Sequence, residues 1–419
     1  MLTQKDQRRA EVLRRLCAGG VTKSQAEMLL GLGRRQVDRL LGEYREQGVR
    51  SVVHGNRGRV PVNKLDSDVV ETILLMVDRD GKYEGFNVCH TCDLLSENEG
   101  VRIGRSTLDR LLREAKIIKS SSSSKKTRRK RRERASAEGV MLQIDGSPHN
   151  WLEDRGPRVS LVGAIDDATG KIVYGLFRPT EDLVGYLTML RNIAKSQGLP
   201  ESLYHDRHTI LRSPKCATIE EELAGSEPQS QFQRALSELG VASIASGSPQ
   251  AKGRVERLWG VLQDRLVKEM RLEGISTIED ANSFLPGFIR RYNRRFAVRA
   301  AETESAWVKM EPGTDLAYYF CVKERRVVRS DHTISWMGKT LQIVPDSQSA
   351  CIAGRKVNVH ITPEDEILIY DGKRRLDYRI VPSVQRQLSS RANTSAKTKE
   401  PDAKALAKRR AWLFAQSAA

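Results

Sequence analysis

The chain has 419 residues, more than one hydrophobic core usually organises, so several folded units are expected. Its 71 lysines and arginines against 53 acids leave a net charge of +18, which favours a polyanionic partner, nucleic acid foremost. No apolar run is long enough to span a bilayer and the N-terminus lacks the apolar core of a signal peptide, which excludes a membrane partner and makes the cytoplasm the expected location. Six cysteines are too sparse for a disulfide framework and are expected to be reduced and mostly buried.

Residues 5–18 read as a helix carrying Val12, Leu13 and Leu16, stopped by Gly19 and Gly20. A second helix starts at Thr22, and a glycine turn at Gly31–Gly33 leads into a third, the helix-turn-helix pattern, over residues 1–55. Arg34, Arg35, Gln36 and Arg39 would line its recognition helix; the plainer reading is a helical hairpin with solvated arginines. The basic, glycine-rich stretch Val53–Pro61 is either an arm for a DNA groove or a linker.

Residues 66–119 make a second helical unit. Cys89 and Cys92 are spaced as half of a zinc site, but no second pair follows, and within FNVCHTCDLL they read as part of one buried helix face. The end of this unit repeats the helix-turn-helix pattern. Ser106 would cap its last helix, Leu108, Leu111 and Leu112 would be buried, and Arg105, Arg110 and Arg113 would face outward. Residues 120–136 follow as a linker expected to be disordered. Its Lys125, Lys126, Arg128, Arg129, Lys130, Arg131, Arg132 and Arg134 are available to phosphates, although a nuclear localisation signal has a similar composition.

From residue 137 the pattern changes to strands. Gly139–Ser147 delivers Asp145 near its end, residues 158–165 and 171–177 complete an antiparallel meander, and a helix over 183–197 follows with Asp182 as its N-cap. A strand over 201–206 delivers Asp206, and a polar loop spans roughly 211–228. A helix at 231–239, a strand at 241–245 and a helix from about Lys252 to Met270 complete a mixed α/β unit to residue 300. Asp166 and Asp167 read as turn residues, and Asp264 as a solvent or salt-bridge residue.

That element order resembles the ribonuclease H-like fold. With the stretch GSPQAKGRVE ending at Glu256, the chain resembles DDE-type insertion-sequence transposases, of the ISNCY-like bacterial kind, and retroviral-type integrases. The resemblance implies that Asp145, Asp206 and Glu256 are the catalytic metal ligands. It implies two Mg²⁺ or Mn²⁺ ions as cofactors, because such ions prefer oxygen donors and can activate a water or 3′-hydroxyl for attack on a phosphodiester. The implied partners are double-stranded DNA, at element ends and target, and further copies of the chain in a nucleoid-associated DNA complex.

Gln263 stands where several related integrases carry a basic residue, so DNA contact there moves to Lys252 or Arg257. His149 and Trp151 either shape the site or are structural. Beyond Met270, Arg290, Arg291, Arg294 and Arg295 lie on an arginine-rich helix expected to face DNA or another subunit. Short strands over 319–382 suit a small β-barrel, and residues 383–419 form a basic tail. The expected architecture is therefore N-terminal all-α helix-turn-helix units, a central α/β ribonuclease H-like core and a C-terminal small β-barrel. The expected function is transposition; the rivals are a DNA-binding regulator that has lost its chemistry and a ribonuclease acting on RNA–DNA hybrids.

Overall fold

The computed structural model describes residues 2–54, 56, 57, 64–119, 133–213, 228–246, 253–344 and 351–381. The tether cations Lys125, Lys126, Arg128, Arg129, Lys130, Arg131 and Arg132, together with Lys252, Cys216 and the basic tail, lie outside the described residues. The chain divides into two units, residues 1–81 and 82–419. That division falls within the helical stretch 66–119.

In the first unit, α1 (Gln4–Cys17) opens with a reciprocal capping box between Thr3 and Asp6. The Thr3 hydroxyl holds the Asp6 carboxyl down at about 2, and Arg57, paired with it at 2.6 Å, adds to the effect. The next helix, α2 (Lys23–Leu30), is boxed in the same way by Thr22 and Gln25, and ends at Gly31, whose φ of 63° is the left-handed conformation that favours glycine. Then α3 (Arg34–Gln47) starts from Gly33 with no side-chain cap; the Gln36 N–H bonds the Gly33 carbonyl at 2.9 Å, which leaves those of Arg34 and Arg35 to an outside acceptor. Leu13, Leu40, Leu41 and Val52 form one small core, and Val12, Ala26 and Val37 another. The last helix of this unit is α4 (Ser67–Val77).

The second unit begins with α5 (Val88–Asn98) and α6 (Arg105–Glu114). The buried face of α5 is His90, Thr91, Leu94 and Leu95, one step round the helix from the cysteines expected there. Cys89 and Cys92 are half-buried, Cys17 and Cys351 are exposed, and only Cys321 among the described cysteines is buried, which corrects the expectation of mostly buried thiols. Likewise α6 starts one residue before Ser106, from Gly104, with no side-chain cap. Leu108 and Leu112 are fully buried and Leu111 only partly.

A five-stranded sheet follows in the order β3-β2-β1-β4-β5. Its strands are β1 (Met141–His149), β2 (Val159–Asp166), β3 (Ile172–Arg178), β4 (Ser202–His205) and β5 (Ala242–Ala245). The first three are antiparallel, while β4 and β5 run parallel to β1, as expected of a ribonuclease H-like core. Alternation sorts the side chains between the two faces. Leu142, Ile144, Val162 and Ala164 pack beneath α7 (Leu183–Ser196) and α8 (Gln231–Glu238). Val159, Leu161 and Phe177 pack beneath α9 (Gly253–Leu272) and α10 (Ile278–Phe296). All eight residues of β2 are buried, as a central strand covered on both faces requires.

The short helix α11 (Leu316–Tyr319) leads into seven further strands forming two sheets. One sheet is β11-β10-β9-β6, built from β6 (Val322–Val327), β9 (Lys356–Ile361), β10 (Ile367–Asp371) and β11 (Arg374–Leu376). The other is β12-β8-β7, built from β7 (Thr333–Trp336), β8 (Lys339–Ile343) and β12 (Tyr378–Val381). Their apolar faces share one core cluster with α7 and α8. Gln231 of α8 bonds both backbone groups of Lys323 like a neighbouring strand, at 3.0 and 2.9 Å.

Candidate active site

β1 supplies the first expected carboxylate, and helix α9 is laid along that strand in step with it. Gln143 accepts from the Val255 N–H at 3.2 Å, Trp259 Nε1 donates to Asp145 Oδ2 at 2.9 Å, and Gln263 Nε2 donates to Ser147 Oγ at 3.2 Å. Four helical residues rise about 6 Å and two strand residues about 6.7 Å, so successive contacts nearly coincide. Gln143, fully buried, thereby satisfies an orphan N–H at the start of α9. Gly163, paired with Asp145 across β1 and β2, leaves room for the indole: a Cβ there would lie 2.9 Å from Trp259 Cη2.

The second expected carboxylate follows β4. The last pair of the parallel β1–β4 register is Gln143 with Tyr204, two residues before each aspartate. Asp206 Oδ1 accepts from the His208 N–H at 2.9 Å. Glu256 lies in the first turn of α9, three residues before Trp259, and is exposed, as is its neighbour Arg257. Among the described residues no three acidic, histidine or cysteine side chains converge as a metal cluster. The donor chemistry nevertheless fits Mg²⁺, which keeps several waters and is commonly held by one or two carboxylates together with substrate phosphates. His205 is committed elsewhere, with Nε2 2.8 Å from Ser243 Oγ.

One acid at this strand end was missed in the sequence. Glu181 directly precedes the N-cap of α7, where Asp182 accepts from the Gly185 N–H at 2.8 Å as expected. Its carboxyl lies against the backbone of Gly146, and the buried Tyr186 hydroxyl donates to Oε1 at 2.6 Å. Burial pushes Glu181 above the usual carboxylate range. The Tyr186 hydrogen bond and His208 oppose that shift, while the charges of Asp145 and Asp206 add to it. The only sequence signal available was a glutamate beside a helix cap.

Asp166 behaves as the expected turn residue, accepting from Thr169 N–H and hydroxyl at 2.8 and 2.6 Å. Asp167 is more than that. It is buried, accepts from Ala135 N–H at 2.9 Å and Gln143 Nε2 at 2.6 Å, and pairs with Arg254 at the start of α9. Asp264 is half-buried, pairs with Lys268 and accepts from the Asn87 amide at the N-cap of α5. Trp151 is a core residue packed edge-on to Phe177 and Trp259, and His149 lies against it, with burial and then Arg158 lowering its pKa.

The four arginines of α10 divide into two pairs. All four are exposed, but Arg291 bonds Glu269 at 2.5 Å and Arg295 pairs with Asp93, so these two join helices. Glu269 also meets His90 at 3.1 Å and Asp93 meets Arg265 at 2.9 Å, tying α5 to α9. Arg34, Arg35, Gln36 and Arg39 are exposed on the first turns of α3, and Arg105 and Arg110 are exposed on α6.

No family model matches the chain. It is 34% identical over 386 residues to a Sinorhizobium fredii protein described as transposase y4bF, covering 92% of this chain and 83% of that relative. The chain belongs to the insertion-sequence transposases. A second relative of this transposase, that for insertion sequence IS1202 of Streptococcus pneumoniae, is 28% identical over 414 residues, covering 88% of this chain and 86% of the relative. Among solved structures, the catalytic core domain of BIV integrase aligns at 17% identity and a TM-score of 0.26, over 35% of this chain and 79% of that one. A chain of the simian T-cell lymphotropic virus intasome, in complex with the PP2A regulatory subunit B56 gamma, aligns at 14% identity and a TM-score of 0.32, over 70% of this chain and 99% of that one. The function of the transposase is cleavage and transfer of DNA strands. No described helix is long and apolar enough to cross a membrane.

Proposed function

We propose that the transposase cuts and joins DNA at the end of its central sheet, with Asp145, Asp206 and Glu256 as the catalytic, metal-holding carboxylates. The observation that supports this most is the stepwise seam between β1 and α9. It fixes Trp259 on Asp145, one helical turn from Glu256, and the β1–β4 pairing ends at Gln143 and Tyr204, two residues before Asp145 and Asp206. A pair of Mg²⁺ or Mn²⁺ ions there would supply the charge that activates the attacking oxygen and stabilises the leaving one. The protein's own part is to fix Asp145 by strand pairing and Asp206 at the end of β4, and to present Glu256 and Arg257 toward incoming DNA.

Double-stranded DNA is bound, in this reading, by α3 through Arg34, Arg35, Gln36 and Arg39 and by α6 through Arg105 and Arg110. Lys125, Lys126, Arg128, Arg129, Lys130, Arg131, Arg132 and Lys252 add phosphate contacts that carry no base information. The uncapped N-terminus of α3 suits a phosphate, since the Arg34 and Arg35 N–H groups and the helix dipole both favour an anion. The two C-terminal sheets act as a small β-barrel that contacts DNA or a second copy, and the working form is an oligomer on DNA. The test is to compare Asp145→Asn, Asp206→Asn and Glu256→Gln in strand cleavage with Mg²⁺. Each should abolish cleavage and leave binding of element ends nearly unchanged, because each amide keeps shape and loses charge. Substantial cleavage by Glu256→Gln would show that another residue completes the site.

A further inference from the structure

We propose that Glu181 is a further carboxylate directed at the cation of Asp145 and Asp206, aimed there by Gly146 and Tyr186; this rests on the assignment of those two aspartates above. Residues 145 and 146 leave β1 on opposite faces of the sheet, so Glu181 approaches the strand end from the α7 side while Asp145 faces α9. A side chain at 146 would block that approach. A Cβ built on Gly146 would collide with the Glu181 carboxyl and lie 2.8 Å from its Cγ. Without one, the carboxyl rests on the strand backbone beside Asp145.

Tyr186, one turn into α7 and fully buried, donates to Oε1 at 2.6 Å, and Oε2 is the oxygen turned to Gly146. Among the described residues no lysine or arginine is paired with Glu181. A half-buried carboxyl beside two aspartates is unfavourable as a purely structural device, because like charges oppose one another, and His208 offsets that only in part. A divalent ion reverses that balance. Mg²⁺ retains waters, so a third carboxylate can act through one of them without closing a protein cage.

The experiment measures Mn²⁺ binding to the full chain, with and without duplex DNA, from the electron paramagnetic resonance signal of the free ion. Thermal melting serves as the fold control. Glu181→Gln should weaken Mn²⁺ binding about 10- to 100-fold, the usual effect of removing a group that supports a metal site. Gly146→Ala should weaken it in the same direction by displacing the carboxyl, and Tyr186→Phe by a smaller factor. Glu181→Asp retains the charge but withdraws it from Gly146, and should fall between wild type and Glu181→Gln; it decides the question if the glutamine variant is unfolded. Asp145→Asn separates the two assignments. If that variant binds Mn²⁺ normally, or the wild type binds none in either state, the aspartate site itself is wrong. If Asp145→Asn loses the ion while Glu181→Gln or Glu181→Asp binds like wild type, Glu181 has no part in the site.

Discussion

Replacing Trp259 with phenylalanine should slow strand cleavage without weakening the grip on DNA. The indole N–H donates to Asp145 Oδ2 at 2.9 Å, and the ring is only 7% exposed. A hydrogen bond to a charged group contributes about 1.5–3 kcal/mol, which corresponds to about 10- to 150-fold in rate if Asp145 loses its orientation. Phenylalanine keeps most of the apolar packing but leaves a gap against Gly163, so a stability loss of about 1–3 kcal/mol is also expected. The assay is single-turnover cleavage of an end duplex over a Mg²⁺ titration, with end binding and urea melting in parallel. Gly163→Ala reaches the same hydrogen bond from the other side by pushing on the indole, and should shift the Mg²⁺ dependence in the same sense. A folded Trp259→Phe protein with wild-type cleavage and wild-type Mg²⁺ dependence would refute the role given to this contact.

Two further outcomes concern stability. Arg254→Met should lower unfolding free energy by about 1.5–3 kcal/mol in urea, because it removes the charged partner of the buried Asp167 carboxylate, which keeps its bonds from Ala135 and Gln143; Asp264→Asn loses the Lys268 pair but should keep cleavage. His360 is fully buried and its pKa is lowered from 6.5 to about 3, mainly by burial, with Lys323 and Arg234 adding to it. The neutral ring is therefore favoured in the folded state, and its stability contribution is intact above pH 6.5 and lost progressively toward pH 3. Wild type should lose about 1.4 kcal/mol through this group by pH 5.5, and a His360→Leu variant should lack that portion of the pH dependence.

Much of the central sheet was legible because its strands are short, apolar and separated by turn residues. Residues 139–147, 158–165 and 171–177 anticipated β1, β2 and β3 to within two residues at each end. The helix carrying Glu256 was equally plain from its periodicity. What could not be read were properties that depend on a partner across space. Glu181 gains its meaning from a glycine 35 positions earlier on another element, and nothing in its own neighbourhood distinguishes it from a helix-start acid. Asp167 looked like a turn residue because its partner Arg254 comes from the far end of the core. Cys89 and Cys92 have the spacing of a buried stripe, but His90 and Leu94 take the inward direction because His90 finds Glu269. Arginines 291 and 295 look identical in sequence to 290 and 294, and only the acids opposite them separate joints from free cations.

Those joints make α9 a measuring rod. The same helix holds Asp145 through Trp259 and anchors α5 through Arg265 and Glu269, about 9 and 15 Å further along its axis. If α6 grips the duplex as proposed, the carboxylates meet it at a distance set by one rigid element, on the order of three or four base-pair steps at 3.4 Å each. The position of the nick relative to the recognised sequence would then be a property of helix length, and adding a turn of helix between Trp259 and Arg265 should move the nick while leaving the recognised sequence unchanged.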